Sequence, residues 1–434
     1  MTISSSLNSG VSGLTANATK LATISDNIAN SATYGYKRST VDFSSMVLQQ
    51  SASTYAAGGV STTTSKNIAE TGSLTGTGNA TDIAVSGSGL IPVTDGSGVD
   101  SLASERDLMF VTTGSFYADA DGNLRTSSGL YLLGWETDET GDTGTVSRTS
   151  GSDLTTVNIN TASYYAAPTE NIALGINLPA EATEAGASGE AYELPVEYFD
   201  NLGSSKNMNY VFTPVVGTDG SSNEWTVEIY DEAGDPDTVI GTLQLTFSDD
   251  AEDGGTLASV TAADGANYDE ESGTVSISLA HGDVDVYIGS LGATDGIQQL
   301  AADFSPTNVT KDGAAIGELQ SVEVNEGGQV VAVYDSGYTS TLYQIPVGDV
   351  ANVNGLSALD GQAYALSSTS GSLYLWDAGT GPVGEIAGYS LMESTTDIAS
   401  ELTDLIETQR SYSSNAKIIQ TVDEMLQETT NLKR

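Results

Sequence analysis

The stretch DADGNLR, residues 119–125, has the oxygen-rich spacing with which a chain begins to wrap a calcium ion. A complete loop needs further carboxylates downstream and a helix on either side. Neither follows here, and a hairpin turn is the better reading. Other chemistry has fewer carriers still. The chain has no cysteine and one histidine, His281. That excludes disulfides, thiolate metal sites and His-cluster metal sites, and leaves little for a nucleophilic triad. No P-loop or nucleophile elbow occurs. Acidic residues are so frequent that any pair chosen as an acid/base couple would be arbitrary. The expectation is a protein that is not an enzyme, with no catalytic residue, no cofactor and no metal.

One cluster does raise a question. SDNIANSATYGYKRSTVDF, residues 25–43, carries the adjacent bases Lys37 and Arg38 directly after Tyr34, Gly35 and Tyr36. The whole chain holds 58 acidic residues against 13 basic ones, a net charge of −45. That charge repels nucleic acid and anionic membrane, and no apolar run is long enough to span a bilayer. The first residues, MTISSSLNSG, lack the basic and apolar regions of a Sec-type signal peptide. The charge is also unevenly spread. Residues 1–70 hold three acids and four bases, and residues 394–434 hold seven acids and four bases. The ends therefore sum to −2 and the middle to −43. A strongly charged middle keeps molecules apart, whereas near-neutral ends tolerate self-association.

The elements that would position these residues are two terminal helices. In the first, apolar residues recur at Leu7, Val11, Leu14, Ala18, Leu21 and Ile28, the 3.5-residue period of a coiled-coil seam. Its outer face is Ser, Thr, Asn and Ala, polar without charge. Gly10 and Gly13 weaken it by roughly 1 kcal/mol each relative to Ala. The second opens at Ser394-x-x-Asp397, a capping pattern. Its seam runs Ile398, Leu402, Leu405, Gln409, Tyr412, Ala416 and Ile419, with Leu426 seven residues on. Ile406, Ile418, Val422 and Met425 widen the stripe beyond what one partner helix covers, and Lys433 and Arg434 close it. Forty residues at ~1.5 Å each make a rod of about 60 Å. The two helices could close on each other in one chain, but the wide second stripe points to further copies.

Between the ends the period changes to two, with Asp-Gly, Gly-Gly and Ser-Gly turns. The fold class expected is mainly β with long terminal α-helices: an elongated multidomain chain whose helices form a coiled-coil-like core with nested β domains outside. The expected divisions are 1–30 plus 394–434 for the helical core and 31–72 for a linker and hairpin. A β-rich middle domain takes 73–145 plus 300–393, and 146–299 forms an inserted outer β domain.

At this point a resemblance enters. SGVSGLTANATKLATISDNIANSATYGYKRSTVDF is similar to the N-terminal signature of the bacterial flagellar axial proteins, the rod, hook and hook–filament junction family. The match lies in Gly13-Leu14, Asn27-Ile28-Ala29-Asn30, Gly35-Tyr36-Lys37 and Phe43. ELTDLIETQRSYSSNAKIIQTVDEML resembles the family's C-terminal signature through Gln409-Arg410, Tyr412 and Asn415-Ala416-Lys417. GSGLIPV departs from it, with Leu90-Ile91 where the family usually has aromatics. Hook members fit best, because LPVEYFDNLG and NEWTVEIYDEAG resemble their additional β domain; a distal rod or junction component is the alternative. The resemblance implies a self-assembling tube, the flexible universal joint between rod and filament. It implies other copies, rod and junction proteins, the hook cap and the type III export apparatus as partners, and a place in the flagellum outside the cell. The polymerisation interface is then expected at Leu7, Val11, Leu14, Leu21, Ile28, Tyr36, Lys37, Arg38, Ile398, Leu402, Leu405, Arg410, Tyr412, Ile419 and Leu426. Tyr36, Lys37 and Arg38 are expected to reach acidic neighbouring subunits.

Overall fold

The computed structural model describes residues 3–46, 58–99, 101, 106–138, 140–234, 238–251, 253–279 and 282–431. His281, Lys433 and Arg434 lie outside the described residues. The described chain is mostly β, with two α-helices, α1 (Ile3–Ala29) and α2 (Ile398–Asn431). It divides into two compact units. The first comprises residues 1–162, 321–333 and 339–434, and the second 163–320 and 334–338. The second unit opens later than the 146 expected. Leu154 and Val157 are fully buried, and Leu154 shares a core with Trp135 of the first unit. The second unit also extends past 299, because the strand Ser305–Lys311 pairs with Asn171–Pro179.

In the first unit, sheets are woven from segments far apart in sequence. Leu74–Gly76 pairs with Ser390–Met392, Asp82–Ser86 with Glu385–Gly388, and Met109–Val111 with Tyr364–Ala365. These antiparallel pairs bury Leu90, Phe110, Leu133, Trp135, Tyr364 and Leu375 as one cluster. Leu90 and Ile91 are both buried, so aliphatic side chains fill this core where aromatics were the family's habit. DADGNLR forms a hairpin turn: Asp119 Oδ1 accepts the backbone N–H of Asp121 and of Asn123, and Gly122 takes the left-handed conformation the turn requires. A two-stranded ribbon, β1 (Ser39–Ser45) and β2 (Val60–Lys66), lies beside α1. The Ser12 hydroxyl accepts the Val60 N–H at 3.2 Å.

The second unit is two sheets closed on one core. The first is a meander of Tyr192–Phe199, Ser205–Pro214, Glu224–Asp231, Val239–Phe247 and Leu257–Ala263. Its strands alternate buried and solvent-facing residues, as one-sided burial demands. The second sheet carries Asn171–Pro179 centrally. Trp225 is fully buried, and its Nε1 donates to Gln299 Oε1 at 3.0 Å, joining the two sheets. Trp225→Ala should therefore cost about 3–5 kcal/mol, measured as a lower urea midpoint for the second unit's transition in the full chain.

Candidate functional site

The two helices pack antiparallel, and apart from Ile419 the residues that meet lie off the apolar seams. Gly10 lies against Ile419, where an added Cβ would come within 3.2 Å of its Cγ1, and Gly13 lies against Asn415. Further along, Asn27 Nδ2 donates to Glu401 Oε1 at 3.2 Å. Ala16 and Ile24 of α1, and Glu401, Thr408 and Val422 of α2, are buried. The inward line of α1 is thus Gly10, Gly13, Asn17, Lys20, Ile24 and Asn27, one residue behind the predicted seam. The inward line of α2 is Glu401, Thr408, Asn415 and Val422, seven apart. One residue of offset turns a helix by 100°. The glycines permit close approach, and polar side chains lock the register. Ser9, Gly13, Asn17, Lys20, Glu407, Thr408, Ser411 and Asn415, with Phe43 and Val60, line a polar groove of about 510 Å³ between the helices and the ribbon.

The apolar seams consequently face outward. Val11 is 48% exposed, and Leu7, Leu14, Leu21 and Ile28 are half-buried along one flank. On α2, Ile398, Leu402, Ile406, Tyr412, Ile418, Met425 and Leu426 are exposed, and so is Arg410. Leu405 is half-buried, and Ile419 is taken up against Gly10. The outer face of α1 has a further property. The hydroxyls of Thr15, Thr19, Thr23 and Ser25 each donate to the carbonyl four residues earlier, so they need no water. That face can be dehydrated at little cost.

Where the helices join the β body, a neck of polar contacts forms, and here the sequence-based expectation is corrected. Tyr36 and Lys37 are buried, and Arg38 is spent within its own chain. None of the three reaches outward, because each satisfies groups that the neck itself buries; Tyr34 is the exposed one. Arg38 Nε meets Glu401 Oε1 at 2.5 Å, and its Nη2 meets Asp404 Oδ2 at 3.4 Å. Glu401 is 0% exposed, and among the described residues its Oε2 has no hydrogen-bond partner. Asn27 donates to the Ser39 carbonyl at 2.9 Å and accepts the Ser39 N–H at 2.9 Å. The Tyr36 hydroxyl lies 3.1 Å from both Asp26 Oδ2 and Asn27 Oδ1, which share its one proton, and burial pushes its phenol up to about 12. Gly35, at φ 73°, turns the chain so that its N–H reaches the Met392 carbonyl at 2.8 Å. A Cβ there would stand 2.9 Å from Thr113 Cγ2. Asp397, not Ser394, caps α2, accepting the N–H of Ala399 at 2.8 Å and of Ser400 at 3.3 Å.

Sequence reasoning missed Glu401, Thr408 and the glycine line as packing residues, and it placed Asn27 only within a motif. The seven-residue recurrence of Glu401, Thr408, Asn415 and Val422 was legible, but polar residues do not register as a seam. Among the described residues no cluster of carboxylates or histidine could hold a metal ion, and no helix is long and apolar enough to cross a membrane. Arg38→Ala leaves the buried Glu401 carboxylate without its cation. It should cost about 3 kcal/mol or more, seen as faster hydrogen exchange across both helices, and Glu401→Leu should recover part of that loss.

Residues 7–37 match the family described as "Flagella basal body rod protein", residues 389–432 "Flagellar basal body rod FlgEFG protein C-terminal", and residues 169–314 "Flagellar basal body protein FlaE D2 domain". The flagellar hook protein FlgE of Brucella suis biovar 1 is 33% identical over the whole of both chains, and that of Rhizobium meliloti is 31% identical with the same coverage. The Escherichia coli protein of the same name is 29% identical over 98% of each chain. A crystal structure of Helicobacter pylori flagellar hook protein FlgE2 covers 73% of this chain and all of its own, with a TM-score of 0.50 at 12% identity, a likeness of fold. On the strength of identity that runs the full length of both chains, this chain belongs to the flagellar hook protein FlgE family.

Proposed function

We propose that the chain polymerises through the outward stripes of α1 and α2, and that the β units serve as a charged outer body. The chain is a structural subunit of the bacterial flagellar hook, and the observation that carries the interface is the offset of the seams. A helix pair that spent its apolar residues on itself would have nothing left for other copies. This one closes mainly on glycine, Asn, Thr and one buried carboxylate, with Ile24, Ile419 and Val422 beside them, and leaves Val11, Leu402, Ile406, Ile418 and Met425 exposed. Apolar stripes of that extent mark interaction surfaces, and burying them contributes ~25 cal/mol per Å². Leu7, Leu14, Leu21, Ile28, Ile398, Leu405, Arg410, Tyr412 and Leu426 flank or extend the stripes and complete the interface. Tyr36, Lys37 and Arg38 support it from inside the subunit.

The β units contribute differently. Their net charge makes contacts between them weak and wet, so neighbours slide without parting, which is what a bending tube needs. Rod and junction proteins would join the two ends of the polymer, and the hook cap would guide its growth. Subunits would leave by the flagellar type III apparatus as unfolded chains, for which the absence of cysteine is convenient.

Two outcomes test this reading. Leu402→Glu combined with Ile406→Glu should abolish sedimentable polymer, while the monomer's unfolding shifts by no more than about 0.5 kcal/mol, as for other surface changes. For the native chain, raising ionic strength from about 10 to 150 mM shortens the screening length from ~30 to ~8 Å. That should promote polymer formation, read by light scattering.

A further inference from the structure

Beside the well-paired Arg38 sits a cation whose hydrogen-bond partners, among the described residues, are neutral. Lys37 is 1% exposed. Its Nζ donates to the Glu70 carbonyl at 2.5 Å and lies 3.4 Å from the Met392 sulfur. Both are neutral groups. A buried ammonium ordinarily needs a carboxylate, because a carbonyl and a thioether replace little of the hydration it gives up. Among the described residues no carboxylate around it makes an ion pair with it, and Glu70 acts on it only from a distance. Glu70 Oε2 accepts from Asn67 at 2.9 Å, and Glu393 Oε1 accepts from Thr75 at 2.7 Å. Glu401 and Asp404 hold Arg38, Lys66 lies over the Tyr36 ring, and Tyr364 is buried.

The position of this lysine matters. It joins the linker that leaves α1, the turn at 67–70, and the strand Ser390–Met392 that leads into α2. Backbone bonds run through the same place: Thr395 N–H to the Tyr36 carbonyl at 3.1 Å, and Asn67 N–H to the Arg38 carbonyl at 3.0 Å. Whatever seats Lys37 closes the neck.

We propose that Lys37 is a proton-controlled clasp: a proton on its amine loosens the neck that fixes the helix pair to the β sheets of its own unit, and loss of that proton tightens it. Burial lowers the lysine from its ordinary 10.5 to about 8, and the Glu70 carboxylate opposes only part of that shift. The sign follows. Between those two values the open neck holds a proton that the closed neck has released, so closing becomes more favourable as pH rises. The gain is about tenfold in the equilibrium constant per pH unit. Below about 8 both states are protonated and the clasp stays on its weak plateau. The neck of a free subunit is therefore loosest at and below neutrality. This inference is separable from the polymerisation interface, whose contacts lie on the outward faces of α1 and α2, where Lys37 is not found.

The test is hydrogen exchange of the full chain, kept monomeric at low concentration and low salt, from pH 6 to 10. Protection of the Gly35, Arg38, Ser39 and Asn67 amides is read after correction for intrinsic rates. The native chain should be flat to about pH 8 and then gain about tenfold per unit. Lys37→Met should be at least ~10-fold better protected at pH 7 and flat throughout. Lys37→Gln, which still donates to the Glu70 carbonyl, should behave likewise and separates loss of charge from loss of the hydrogen bond. A flat native profile overturns the clasp, as does protection at pH 7 in both variants equal to or below that of the native chain. Should neither variant fold, the native profile decides alone.

Discussion

A carboxylate shut away from water holds this subunit in order. Glu401 is fully buried, and a charge so placed is tolerable only while its cation and donors stay put. Those partners come from elsewhere in the chain: Asn27 from α1 and Arg38 from the linker. Three segments thus share one polar knot, and Asn27 carries it on to Ser39 at the start of the ribbon. The knot fixes which face of each helix turns inward. With Glu401 pinned, its heptad successors Thr408, Asn415 and Val422 must follow, and Gly10 and Gly13 are drawn against Ile419 and Asn415. Most of the apolar seam, 100° away on each helix, is left half-buried or exposed, Ile419 excepted.

From that geometry comes a division of labour. The inward contact is largely polar, with Ile24, Ile419 and Val422 its apolar members, and is suited more to fixing register than to supplying stability. The outward faces are apolar or carry hydroxyls already bonded to their own helix, suited to burial against like faces. The charge of −45 sits almost wholly on the β units, where it opposes close association. In the proposed reading, one chain combines a surface that attracts its copies with a body that repels them, a balance a flexible tube can use.

Much of this was legible in the sequence. The strand-rich blocks, the turn at DADGNLR and both helices follow from period and turn chemistry, because local backbone preference and one-sided burial act on a few residues at a time. The helix faces were only half legible. Period 3.5 located Leu7, Val11, Leu14, Leu402 and Leu405, but a hydrophobic seam carries no label saying whether it serves the same chain or another. Polar packing shows only which face of each helix turns inward, through Asn27 and Glu401, which lie 374 positions apart. Lys37 and Arg38 were misread for the same reason. A basic pair in an acidic chain looks like a surface feature until the fold shows what surrounds it. The unit boundaries shifted because residues such as Leu154 find their core only in three dimensions.

The central claim is that the outward stripe of α2 is covered by other copies in the polymer. It is tested most directly by thiol labelling at Ile406→Cys, which gives a single cysteine in a chain that has none. The account predicts rapid labelling of the monomer and labelling slowed at least ~10-fold in assembled tubes, as burial of half-exposed side chains in a packed interface requires. Equal labelling rates in monomer and tube would contradict it.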